Sequence, residues 1–116
     1  MTPSRKSPRY NLIPHPDSIV DVDALATYGV EVIAAVASIL DDLAHGRVTG
    51  KELGDRNISG DLSGFARIRF DVPGQRPQRF RLIYRQVDEF TRMIIAIGLR
   101  DEHAIYRAAV QRLRPQ

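Results

Sequence analysis

The chain reads as a single α+β domain, a helical hairpin and a C-terminal helix packed on a small antiparallel or mixed sheet. Three observations predict it. Apolar residues recur at helical spacing through the first half, alternate at strand spacing through the second, and return to a helical period at the end. At 116 residues, one core is adequate without staples.

Each element follows in order. Residues 1–9 hold three basic residues, two prolines and two serines with no apolar run behind them. A secretory signal needs such a run, so residues 1–8 are expected to be a disordered basic tail and 9–116 the domain. A short strand over 9–13 ends at Pro14-His15-Pro16. Asp17 or Ser18 then caps a helix to about residue 28, with Ile19, Val22, Leu25 and Ala26 at helical spacing. Gly29 breaks it. The second helix, 30–45, puts Val32, Val36, Ile39, Leu40 and Leu43 on one face, and Gly46 stops it. So tight a junction predicts an antiparallel hairpin. Residues 46–64 are glycine-rich and polar, which predicts a loop.

Three strands are expected next, at 66–72, 79–87 and 93–99, with turns at 73–77 and 88–89. The third is apolar on both faces and so belongs in the middle of the sheet. A helix from Asp101, its cap, to about residue 112 closes the domain.

Composition removes several function classes. There is no cysteine, which excludes disulfides and thiolate chemistry and fits a reducing cytoplasm. Carboxylates are scattered, so no metal or other cofactor is expected. The most apolar stretch, 30–40, is shorter than the roughly 20 residues a bilayer span takes. Charge is divided unevenly. Residues 1–64 carry six Lys/Arg against nine Asp/Glu (−3), and 65–116 carry eleven Arg against five acids (+6). Arginine's planar fork binds phosphate through two N–H groups and stays charged in any environment, so the bias points to a phosphate-bearing partner. A GC-rich genome would explain arginine in place of lysine, but not its crowding into one half.

The chemistry concentrates there. Strand alternation places Arg67 and Arg69 on the face opposite Ile68 and Phe70, about 7 Å apart along the strand, a spacing that suits successive phosphates. Taken alone, such a pair is more often the solvated face of an amphipathic strand. Arg81 and Arg85 share one face of their strand, and Arg100 directly follows the buried strand ending Ile97-Gly98-Leu99. Tyr106 lies in the closing helix, where a lone tyrosine is usually packing with a wet hydroxyl.

Together these residues resemble a family. Gly60-Asp61-Leu62-Ser63-Gly64-Phe65-Ala66-Arg67-Ile68-Arg69 is similar to the RelE/ParE toxin motif, in which leucine and glycine lead into alternating basic and apolar residues. Phe80-Arg81-Leu82-Ile83-Tyr84-Arg85 resembles that family's next strand. Ala96-Ile97-Gly98-Leu99-Arg100 and Ile105-Tyr106 resemble its ending. The resemblance covers about residues 59–113.

It implies a RelE/ParE-like microbial RNase fold. It also implies a type II toxin with a RelB-like antitoxin as partner, and a RelE branch that cuts mRNA on the ribosome. Catalytic roles then fall on Arg81, Arg100 and Tyr106, and phosphate or RNA binding on Arg67, Arg69 and Arg85. The family often has lysine at the basic pair, and its loop before the leucine is shorter. Two other readings of the same fold are a ParE-like gyrase inhibitor and an inactive binding protein.

Cleavage by the 2′-hydroxyl needs a base, charge stabilisation on the phosphorane, and an acid for the 5′-oxygen. Arginine suits the second task alone, because its pKa exceeds about 12. Tyr106 is the best base, since neighbouring guanidinium charges favour phenolate. The acid is unassigned. His103 has a suitable pKa but the position of an ordinary surface histidine, and His15 and His45 have no assigned role. Arg67, Arg69, Arg81 and Arg100 are expected to converge on one exposed concave face of the sheet.

Overall fold

His15 begins the first helix. Its Nδ1 accepts from the Asp17 N–H at 3.1 Å, and Pro16 sits where a missing N–H is harmless. The cap is therefore His15 rather than Asp17 or Ser18, because an imidazole acceptor at the residue before the proline reaches the same orphan donors. Its Nε2 donates to the Arg112 carbonyl at 3.1 Å, tying the start of the first helix to the end of the last.

The computed structural model describes residues 7–56, 60–77, 79–100 and 104–113; at 55, 56 and 60–63 it describes the backbone alone. In chain order the elements are β1 (Asn11–Pro14), α1 (Pro16–Leu25), a 3₁₀ turn (Ala26–Tyr28), α2 (Val30–Ala44), β2 (Lys51–Arg56), β3 (Gly60–Phe70), β4 (Phe80–Asp88), β5 (Thr91–Leu99) and α3 (Ala104–Arg112). The sheet runs β1-β5-β4-β3-β2, antiparallel except that β1 is parallel to β5. The fold is thus three helices on a five-stranded mixed sheet. Residues 1–6 of the tail expected at 1–8, and the Asp101 cap, lie outside the described residues.

Residues 46–64 are not a loop throughout. β2 and the start of β3 form an antiparallel pair, with the register broken between Glu52 and Gly54, and Gly54 takes a φ of 67° there. β2 is an edge strand, so Lys51 and Glu52 stay exposed while Leu53 turns into the core. That composition looks like a loop because an edge strand buries so little.

Both faces of the sheet are covered. Leu25, Val32, Val36 and Leu43 pack on Ile68, Phe70, Phe80, Leu82 and Tyr84. On the other face Ile105, Tyr106 and Ala109 of α3 pack on Phe65, Ile83, Ile95 and Ala96. β5 serves both cores, as its continuous apolar run predicts. A register shift opposite Ile83 and Tyr84 inserts Ile95, which is how adjacent Ile95 and Ala96 both face α3.

One buried cation clamps the α2 end. Arg92 is 2% exposed and donates to the carbonyls of Leu43 (2.9 Å) and Val48 (3.1 Å) and to Gln86 (2.9 Å). Leu43 is in the last turn of α2, where carbonyls have no helical partner. The guanidinium also lies over Tyr10 at 3.8 Å and near Tyr84 at 5.0 Å. Among the described residues, no helix is long and apolar enough to cross a membrane.

Candidate active site

Alternation along β3 turns Ala66, Ile68 and Phe70 toward α1 and α2, so Arg67 and Arg69 face α3. β4 aligns its own cations with them. Arg69 pairs with Arg81 and Phe65 with Arg85 across the ladder, and Arg81 lies opposite Gly98 of β5. α3 crosses this face, with Ile105 and Ala109 in the core, and brings Tyr106 over the arginines.

The geometry is specific. Nη1 of Arg67 donates to the Tyr106 hydroxyl at 3.3 Å, and Arg81 also hydrogen-bonds the phenol. Tyr106 is 6% exposed and Arg81 2%. Arg81 further donates from Nη1 to its neighbour's carbonyl, Phe80, at 3.1 Å. Arg67 is half-buried, and its Nε has no hydrogen-bond partner among the described residues. Arg69 and Arg100 are exposed and close enough for their charges to act on Arg81. The four arginines do converge, but not on an open surface. Arg81 lies beneath α3, where burial replaces the expected exposure.

Electrostatics follows from this packing. Burial by itself would raise the Tyr106 pKa, but the hydrogen bond and charge of Arg67, with those of Arg81, outweigh it and hold the phenol below its usual value. For Arg81, burial lowers the pKa most, Tyr106 opposes that, and the like charges of Arg69 and Arg100 add to it. The net direction is down. The site thus keeps a cation where water is scarce and other cations are near. Such an arrangement favours an incoming anion.

Arg85 stands apart. It shares the face but lies about 13 Å along the strand from Arg81, by strand rise, with fully buried Ile83 between them. Its exposed guanidinium stands outside the central cluster. His103 lies outside the described residues. His15 and His45 have structural partners, the second through Nδ1 to the Asp41 carbonyl at 2.9 Å. Among the described residues, no group of three or more His, Asp or Glu is placed to hold a metal ion.

Sequence reading passed over a second set of residues beside the cluster. Asp21 of α1 and Arg112 of α3 form an ion pair at 2.7 Å against β5, and Arg79 stacks on Tyr28 at 5.4 Å. None lies in a recognisable motif, because each contributes through a contact between distant elements.

No family model matches the chain, and no curated protein matches it. Among solved structures it is similar to E. coli toxin RelE, in a double arginine-to-alanine mutant in the free state. Identity is 18%, 91% of this chain and 99% of that one are covered, and the TM-score is 0.60. The chain has a RelE-like fold.

Proposed function

We propose that this chain is the toxin of a type II toxin–antitoxin pair, a metal-independent endoribonuclease that cleaves mRNA on the ribosome. The observation that carries this reading is a phenol held between two guanidinium groups, Arg67 and Arg81, beside Arg69 and Arg100. The fold likeness to RelE supports it.

In this reading the Tyr106 phenolate takes the proton of the 2′-hydroxyl, whose oxygen attacks the adjacent phosphorus. The bond to the 5′-oxygen breaks and that oxygen takes a proton from water, leaving a 2′,3′-cyclic phosphate and a 5′-hydroxyl. Arg81 and Arg100 stabilise the charge that develops on the phosphorane, the task a metal ion performs elsewhere. Arg67, Arg69 and Arg85 hold flanking phosphates, and Arg67 also lowers the phenol's pKa. The partner protein is an antitoxin whose acidic residues answer the basic half of the chain.

Expression without the antitoxin should arrest growth, with message ends carrying the cyclic phosphate. Arg81→Ala should lower kcat by about 10²–10³-fold. Tyr106→Phe should lower it by about 10²–10⁴-fold while RNA affinity holds. The wild-type rate should climb with pH and level off below the ordinary phenol value of about 10, because the folded pKa is depressed. Growth arrest with intact messages and disturbed supercoiling would favour gyrase as the target. A Tyr106→Phe enzyme at full rate would remove the base assignment.

A further inference from the structure

β4 pairs with one edge of β5 along its length, but on the other edge β1 reaches only as far as Ile94. Just beyond, an ion pair plugs the gap. The Asp21 carboxylate accepts from the Ile97 N–H at 3.0 Å, and its partner Arg112 donates to the Ile95 carbonyl at 2.9 Å. Backbone groups of successive residues face opposite edges of a strand, and the Arg100 N–H bonds the Arg79 carbonyl at 2.6 Å on the β4 side. The trans peptide planes therefore turn the Ile97 C=O, the Leu99 N–H and the Leu99 C=O to the open edge. Among the described residues, none of these three has a hydrogen-bond partner. About 7 Å of edge is thus left unpaired, two residues of strand rise.

The open edge is the floor of a cavity of about 750 Å³, a usual size for a small-molecule site. α1 covers one face of the sheet and α3 the other, so Leu25 and Tyr28 wall the cavity on one side and Ile105 and Ala108 on the opposite side. A flat ring entering edge-on would lie in the plane of the sheet, with apolar groups above and below it. Arg76, Arg79 and Arg100 line the same cavity, while its carboxylate, Asp21, is already neutralised by Arg112.

We propose that this cavity binds an adenosine phosphate unit, its base read by the β5 edge and its phosphate held by the arginines. The edge presents acceptor, donor and acceptor in order, as the Ile97 C=O, the Leu99 N–H and the Leu99 C=O. Adenine's Watson–Crick edge answers each in turn with an amino N–H, the N1 lone pair and the weakly donating C2–H. Laid on the same three groups in either direction, guanine and uracil set a ring N–H against the Leu99 N–H. Cytosine sets its carbonyl oxygen against one of the two backbone carbonyls. Adenine alone among the four bases has no such conflict. The same atoms are read whether the unit is a free nucleotide or one adenosine of an RNA strand.

The test titrates the full chain with AMP and follows it by NMR. Saturable shifts are expected at residues 97–99, Tyr28 and Ala108, with AMP bound about tenfold or more tighter than GMP, CMP or UMP, as base-edge hydrogen bonds discriminate. Dimethylating the amino group of AMP, or replacing its N1 by C–H, should each weaken binding about tenfold, because a backbone group is left unpaired. Replacing N7 by C–H should leave it unchanged, since that atom is not read. Arg76→Ala and Arg79→Ala should weaken AMP but not adenosine, and the loss should shrink at high salt. A 2′-O-methyl oligoribonucleotide, which cannot be cut, separates the two sources. Tighter binding of one adenosine among uridines than of AMP assigns the site to RNA, and binding of AMP alone assigns it to a free nucleotide. No saturable shift at 97–99 with either ligand up to millimolar concentration overturns the proposal. So does equal affinity for all four bases, or indifference to both the amino and the N1 change. The titration is read without any cleavage assay, so a chain that cuts no RNA leaves this outcome fully decided.

Discussion

Arg81 does two opposed things. A guanidinium 2% exposed has left most of its water behind, and Arg69 and Arg100 add repulsion. A fold under selection for stability alone has no reason to keep it there. Arg81→Met replaces the cation by an apolar chain of similar length that packs against Ile83 and Ile105. Urea unfolding should show the variant about 1–2 kcal/mol more stable than wild type, the low end of the range for replacing buried ionic groups by apolar ones. Cleavage should be lost at the same time. A destabilised Arg81→Met would mean that its bonds to Tyr106 and the Phe80 carbonyl outweigh desolvation and repulsion. The Tyr106 phenol carries a matching linkage. Its folded pKa is depressed, so its contribution to stability is fully present above the unfolded value and lost as pH falls through the folded one.

Strand alternation was the part of the site most legible in the sequence. Counting residues pairs Arg67 with Arg69 and Arg81 with Arg85, the family resemblance adds that the two strands share that face, and the register of β3 and β4 places Arg67, Arg69 and Arg81 there. What counting misses is depth. Nothing in Phe80-Arg81-Leu82 distinguishes a solvated arginine from a buried one, because the cover comes from α3, more than twenty residues later. β2 was illegible for a related reason, since Lys51-Glu52-Leu53-Gly54 offers a single apolar side chain and no alternation to detect. The connection before it carries its own constraint. Gly50 donates its N–H to the Tyr84 hydroxyl at 2.9 Å, and a Cβ there would lie 2.8 Å from the Arg67 carbonyl oxygen and 3.0 Å from the Tyr84 ring. Gly50→Ala must push β3 away from this contact at the residue that carries the Arg67 side chain. It should cost about 1–3 kcal/mol by thermal unfolding, the usual range for overpacking, and lower cleavage beyond what the lost stability explains. Unchanged melting and activity would show that β2 and its connection can shift freely.

The molecule is closed by its most distant partners. β1 meets β5 in the register Asn11↔Thr91, and His15 reaches the Arg112 carbonyl. Such a pairing pays a large loop-closure entropy before any contact rewards it. β1 is also four residues long and at an edge. Native-state amide exchange should therefore find Leu12 and Ile13 opening locally at low free energy, while Leu82 and Ile97 exchange only with global unfolding. Equal protection at both places would make the closure part of the cooperative core.

The same chain order has a consequence for synthesis. Arg67, Arg69 and Arg81 emerge with β3 and β4, whereas Tyr106 arrives with α3, the last described element. On the function proposed above, a nascent chain can grip phosphate well before it holds a base. It leaves its own messenger uncut until the final helix has been made and docked.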